Sequence, residues 1–144
     1  MGIVKIGLFL CYVLLGGISS CHSTMDKVKL DEVKWELETL NGKEVKLSGS
    51  DNVIFIEFDS SEKRVSGRAT CNRFFGNYEI DGEKIDFSPM GATRMSCPDL
   101  NKETEFFKML DTVDTYSIKD KLLSCFSKAK LVATFKMIKQ EVAE

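Results

Sequence analysis

The chain has 144 residues, and its 20 basic and 22 acidic side chains give a formal net charge of −2. That length suits one domain with a single hydrophobic core. With acidic side chains in slight excess, nothing in the charge balance suggests a nucleic-acid-binding protein.

The N-terminus has the layout of a secretory signal. Lys5 precedes the apolar run IGLFLCYVLL, which the small residues GGISS follow, and Cys21 comes next. A membrane-spanning helix needs about 20 apolar residues, more than this run supplies. The run is therefore predicted to be removed rather than retained as a span.

The exit sequence ISSC resembles a bacterial lipobox. The resemblance implies cleavage before Cys21 and a diacylglycerol on the Cys21 sulfur, which would anchor the chain to a membrane. His22 stands where an aspartate would imply retention at the inner membrane, so the expected location is the periplasmic face of the outer membrane. Residues 1–20 are thus predicted to be a signal peptide, 21–32 a lipidated tether, 33–138 the folded domain and 139–144 a tail.

The first half of the domain predicts strands. VKWELET alternates apolar and charged residues, as a half-buried strand does, and VIFIEF is apolar enough for a central strand. Asn41-Gly42 and Asp81-Gly82 indicate hairpin turns. RVSGRAT is predicted to be a strand with a bulge at Gly67, whereas CNRFFG and SPMGATRMSCP are predicted to be a loop and an irregular connection.

The second half predicts one helix and three strands. In NKETEFFKMLDTV, four apolar residues share one helical face, with Asp99 or Asn101 as the expected N-cap: Phe106, Met109, Leu110 and Val113. TYSIK, KLLSCF and LVATFKMI follow as strands. The predicted class is α+β, with one antiparallel sheet closing around or onto one helix.

Three cysteines remain after Cys11 is cleaved off and Cys21 is lipidated. In an oxidising compartment two of them are expected to pair. Cys71 and Cys97 lie on either side of the predicted second hairpin and form the preferred pair, with Cys125 as a buried thiol. Pairing of Cys125 with either of the others stays open.

Three segments in this order resemble the META domain, whose bacterial members are the HslJ-like lipoproteins linked to heat shock: WELETLNG, VSGRATCNRFFGNYEIDGEKIDF and GATRMSCPDLNKETEFFKML. The resemblance covers residues 33–138 and implies an open, cracked antiparallel barrel with one main helix. It implies no cofactor and no established enzymatic activity. The family usually has glycine where Thr70 stands, so a positive φ at that turn would be unusual here.

Arginine and aromatic side chains supply the candidate binding surface: Arg73, Phe74, Phe75 and Arg94. If the two cysteine loops meet, the two arginines would clamp a carboxylate or phosphate. The alternatives are ion pairs of these arginines with local acids and packing of the phenylalanines in the core.

The signal sequence and the family resemblance together favour a non-catalytic, stress-related envelope lipoprotein that binds a protein partner or an unfolded segment. The alternative that the resemblance implies is a lipid-binding or secretin-pilot-like carrier, which needs an apolar cavity. Catalysis is disfavoured because His22, the single histidine, lies outside the predicted domain. For the same reason no metal site is expected.

Overall fold

The structure is a computed structural model that describes residues 28–31, 33–49 and 52–138. The predicted signal peptide, the lipidation residue Cys21, most of the tether and the predicted tail lie outside these residues.

The described chain contains ten strands and one helix. The strands are β1 (Lys34–Leu40), β2 (Lys43–Glu44), β3 (Phe55–Asp59), β4 (Arg64–Ala69), β5 (Asn72–Asp81), β6 (Lys84–Phe87), β7 (Gly91–Ala92), β8 (Thr115–Lys119), β9 (Leu122–Ser127) and β10 (Lys130–Ile138). The helix, α1, spans Leu100–Leu110.

Eight of the strands form a closed antiparallel barrel. They are ordered β10-β9-β8-β6-β5-β4-β3-β1, and β1 pairs with β10 to complete the ring. The predicted α+β class, a curled antiparallel sheet with one main helix, is confirmed. The resemblance implied an open, cracked barrel, whereas this ring is closed. Its shortest strand pairing is between β6 and β8, which share the single residue pair Lys84 and Thr115.

The barrel interior is filled by side chains. The predicted helical stripe is buried, and the Phe106 ring lies 5.4 Å from the Phe74 ring and 6.5 Å from the Phe135 ring, centroid to centroid. The largest side chains that are less than 2% exposed are Trp35, Phe74, Phe106, Phe135, Ile54, Ile56, Leu110, Leu123, Val65 and Asn72. The inside of the barrel is therefore a packed core rather than a ligand chamber.

The helix α1 begins after one of the two predicted N-cap residues, but the hydrogen bond expected of an N-cap is absent. Asp99 occupies the N-cap position, but its side chain makes no capping hydrogen bond. Its carboxylate instead accepts hydrogen bonds from Ser48 N at 2.8 Å and Ser48 Oγ at 3.2 Å. The residue thus ties the segment after β2 to the beginning of the helix.

The prediction of a loop at CNRFFG is wrong, because from Asn72 onward this segment belongs to β5. Its side chains alternate, with Asn72 and Phe74 buried and Arg73 and Phe75 exposed. The alternation of inward and outward side chains was hard to recognise in the sequence, because polar residues and Gly76 interrupt the apolar pattern of this strand.

The predicted bulge at Gly67 is also absent, since β4 pairs with β3 and β5 in unbroken register. A Cβ on Gly67 would lie 2.0 Å from the Phe55 carbonyl oxygen and 2.8 Å from the Phe74 ring. Gly67 is required because the Phe74 ring lies directly against its backbone.

Gly67→Ala is therefore expected to lower the free energy of unfolding by about 1–3 kcal/mol, since the added methyl overpacks the core. Urea denaturation followed by circular dichroism measures the change. Ser66→Ala, at the exposed neighbouring position, is the control and should change stability by less than about 0.5 kcal/mol. Equal effects of the two substitutions would contradict the packing argument.

Candidate functional site

A groove of about 440 Å³ runs over the outer face of β1, β3, β4 and β5. We call it the outer-face groove. The residues that line it are Lys34, Phe55, Glu57, Ser66, Gly67, Arg68, Arg73, Phe74 and Phe75.

Cross-strand register builds the groove from two rows of side chains. In the first row Arg68 pairs with Phe55 on one side and with Arg73 on the other. In the second row Ser66 lies between Glu57 and Phe75 in the same way. Residues two apart on a strand point to the same face, so both rows project outward.

Phe75 is the apolar centre of this surface. Its side chain is 55% exposed although it lies in the middle of a long strand. The ring rests over Gly91 on β7, where a Cβ would approach it to 2.8 Å. The glycine thus leaves room for a ring that is held in place on one side and open to solvent on the other.

The positively charged side chains of the groove differ in whether a negatively charged group lies beside them. Lys34 Nζ lies 3.4 Å from Glu57 Oε1 and 4.1 Å from the centre of the Phe55 ring. Arg68 donates to the Thr70 carbonyl oxygen at 2.8 Å and to Asn52 Oδ1 at 3.0 Å, both neutral acceptors. No ion pair within the described residues involves Arg68 or Arg73.

A smaller depression of about 240 Å³ continues the groove past Phe75 and also contacts Glu57 and Ser66. Its far end is acidic, with Asp59 and with Glu62, whose Oε2 lies 3.3 Å from Arg64 Nη1. The hydrogen bond from the Ser61 hydroxyl lowers the pKa of Asp59, so this carboxyl is anionic at neutral pH.

A buried polar cluster fixes the beginning of β5. Asn72 Oδ1 accepts hydrogen bonds from Thr93 Oγ1 at 2.9 Å and Met95 N at 2.7 Å. Asn72 Nδ2 donates to the Met95 carbonyl oxygen at 3.1 Å and to Glu103 Oε1 at 3.0 Å. This amide therefore joins β5, the segment after β7 and α1.

The structure joins Cys71 and Cys97 in a disulfide beside this cluster. The two residues are 26 apart in sequence, for which loop-closure entropy gives a stabilisation of about 3 kcal/mol. Cys125 is a buried free thiol, and burial raises its pKa to about 12. It is neutral at physiological pH and is not an activated nucleophile.

Thr70 adopts a left-handed conformation, with φ of 60°, at the turn between β4 and β5. A β-branched residue is strained there. Its hydroxyl donates to Glu103 Oε2 at 3.1 Å, a contact that glycine would not provide. This hydrogen bond offsets part of the backbone strain.

We expect Thr70→Gly to be more stable than Thr70→Ala by about 1–2 kcal/mol. Both variants lose the hydrogen bond to Glu103, but only glycine relieves the strain at positive φ. Chemical denaturation of the two variants side by side measures the difference. An alanine variant as stable as the glycine variant would show that the turn is not strained.

The four sequence-predicted binding residues do not all lie in one site. The Phe74 side chain is not part of an exposed surface, because it is 1% exposed and packs against Phe106 and Phe107. Arg94 is exposed but does not line the groove, and the register partner of Arg73 is Arg68. Of the predicted set, Arg73, Phe74 and Phe75 line the outer-face groove, but only Arg73 and Phe75 are exposed there.

Sequence reasoning missed Lys34, Phe55, Glu57 and Arg68 as groove residues. Their alternation with buried neighbours was visible within each strand. Which residues lie opposite one another across β3, β4 and β5 depends on the pairing register, which a single sequence does not reveal.

The described residues contain no group of three or more His, Cys, Asp or Glu side chains placed to hold a metal ion. In the same part of the chain, no helix combines the length and hydropathy that crossing a membrane requires.

Fold and groove together define a small antiparallel β-barrel with one helix and a grooved outer face. A family model of the META domain matches residues 28–139, and the chain belongs to this family. No curated protein matches the chain in sequence.

Three solved structures resemble it. The NMR structure of a protein from Burkholderia xenovorans is 23% identical, covering 77% of this chain and 85% of that one, with a TM-score of 0.63. Another protein structure solved by NMR is 28% identical, with coverages of 75% and 91% and a TM-score of 0.59. The crystal structure of a DUF4847 family protein from Bacteroides vulgatus is 15% identical, with coverages of 78% and 96% and a TM-score of 0.55. These likenesses support the barrel fold.

Proposed function

We propose that this protein is a non-catalytic lipoprotein of the cell envelope whose outer-face groove binds an exposed segment of another protein under stress. The observation that carries the proposal is the solvent-exposed Phe75 ring, 55% accessible, at the centre of a groove on a rigid sheet. Exposed aromatic and arginine side chains in a concave surface are the residues that contribute most to protein interfaces.

The composition of the groove supports binding rather than catalysis. Glu57 is its one carboxylate, and this group is paired with Lys34. A general acid–base mechanism needs a group with a tuned pKa within reach of a second reacting group. The groove instead offers apolar area and cations, which suit recognition.

A lipid carrier is the second candidate, and a different surface favours it. A depression of about 630 Å³ lies beside β8, lined in part by Val28, Leu30, Tyr116 and Ile118. Because the barrel core is filled, an acyl chain would have to bind in this depression rather than inside the barrel. Lipid bound there would leave the outer-face groove free.

Incorporation of a photo-crosslinking amino acid at position 75 tests the protein-binding proposal in cells. We expect cross-linked peptides of another envelope protein, because the Phe75 ring would lie at the centre of the interface. Position 131 is the matched control, since Leu131 is also an exposed apolar residue, at 45%, but lies on β10 outside the groove. Identical adducts from both positions, or lipid adducts alone at position 75, would contradict the proposal.

Cys21 is the proposed anchor, with the domain at the periplasmic face of the outer membrane. Cys21→Ala is expected to abolish incorporation of radiolabelled palmitate and to release the chain from the membrane fraction, because stable anchoring depends on the acyl chains. Cys11→Ala, within the predicted signal peptide, is the matched control and should remain labelled. Labelling of the Cys21→Ala chain would rule out this anchor.

A further inference from the structure

We propose that the outer-face groove recognises an extended protein segment with a carboxylate, an apolar side chain and a cation at positions i, i+2 and i+4. This inference rests on the proposed function and specifies the chemistry of the partner. It follows from three features of the groove and the depression that continues it: an arginine end, an aromatic centre and an acidic end.

The arginine end takes the carboxylate. Arg68 and Arg73 are direct register partners on β4 and β5, so their Cα atoms lie about 5 Å apart. Hydrogen bonds to Thr70 and Asn52 hold the Arg68 guanidinium in place without neutralising it. Two neighbouring guanidinium groups bind a carboxylate through parallel, charge-assisted hydrogen bonds.

The acidic end takes the cation. The carboxylates of Asp59 and Glu62 share one cation, Arg64, which lies 3.3 Å from Glu62 and also lowers the pKa of Asp59, so the lining of this end carries one excess negative charge. Asp59 and Arg64 are register partners at the far ends of β3 and β4. A carboxylate of the partner would be repelled here, so the two ends of the groove select opposite charges.

The spacing of the two ends matches an extended chain. Arg64 and Arg68 are four residues apart on one strand, a separation of about 13 Å at 3.3 Å per residue. Phe75 lies opposite Ser66, halfway between them. In an extended segment, side chains at i, i+2 and i+4 share one face and have the same separation, so all three contact the groove together.

Four end-blocked, fluorescent peptides test the pattern against the purified full chain in detergent, by anisotropy. Their cores are Asp-Thr-Phe-Thr-Lys, Asp-Thr-Phe-Thr-Asp, Lys-Thr-Phe-Thr-Lys and Asp-Thr-Ala-Thr-Lys. We expect the first to bind tightest and each of the others to bind about three- to fivefold more weakly, since exposed charge pairs contribute modestly. Raising the salt concentration should reduce the differences among the three phenylalanine peptides.

Arg73→Glu makes the test specific to the groove. It should weaken binding of the Asp-Thr-Phe-Thr-Lys peptide and strengthen binding of the Lys-Thr-Phe-Thr-Lys peptide. Arg94→Glu changes the net charge equally at an exposed position outside the groove and should leave both affinities unchanged. Because the peptide series is measured on the unsubstituted chain, it decides the question even if a variant fails to fold.

The outcomes separate this inference from the proposed function. Equal affinities of the three phenylalanine peptides, or equal effects of the two arginine substitutions, would overturn the charge pattern. Protein adducts at position 75 would in that case still support the groove as an interface. If no peptide binds, the charge pattern is rejected, and if position 75 also gives no protein adduct, the interface proposal fails with it.

Discussion

The buried side chain of Asn72 fixes the register on which the core and the groove both depend. Asn72 is 1% exposed, and its side-chain oxygen and nitrogen make five hydrogen bonds of 2.7 to 3.1 Å to Thr93, Met95 and Glu103. A one-residue slip of a strand moves every side chain to the opposite face. A slip of β5 would leave this amide without partners and would also place the charged Arg73 in the core, and both are costly.

Because of this register, the adjacent residues Phe74 and Phe75 point to opposite faces of the sheet. Phe74 points inward and packs against Gly67 and the helix residues Phe106 and Phe107, whereas Phe75 points outward over Gly91. Two glycines, one on each of two strands that pair with β5, thus leave room for one ring on each face of the sheet. Because the core behind it is packed, Phe75 stands on a surface that does not need to reorganise on binding, which lowers the entropic cost of association.

The sequence predicted the elements well where local chemistry determines them. The stripe of α1 and the Asn41-Gly42 turn, with φ of 51° and 77°, are both present. By contrast, the turn at Lys128 and Ala129 has positive φ at both residues although neither residue type favours it. The pairing of β9 with β10 therefore imposes this turn, and no local signal could reveal it.

The candidate site was less predictable because the pairing of strands, rather than the local sequence, brings its residues together. Proximity along the chain suggested Phe74 beside Phe75, and the cysteine loops suggested Arg94 beside Arg73. The sheet instead brings Arg68 next to Arg73, and Phe55 next to Arg68, from strands that the sequence reading treated separately. The alternation within each strand was accessible from sequence, but in β5 the mistaken prediction of a loop at CNRFFG concealed it.

The disulfide links the proposed compartment to the proposed site. Cys71 immediately precedes Asn72, and Cys97 closely follows Met95, whose backbone N–H and carbonyl both bind the Asn72 amide. The bond therefore restrains the two segments that hold the start of β5. Disulfides persist in oxidising compartments such as the periplasm and are reduced in the cytosol. In the proposed envelope location the disulfide would persist and would contribute about 3 kcal/mol of stability. It restrains the start of β5, the strand that places Arg73 and Phe75 on the outer face.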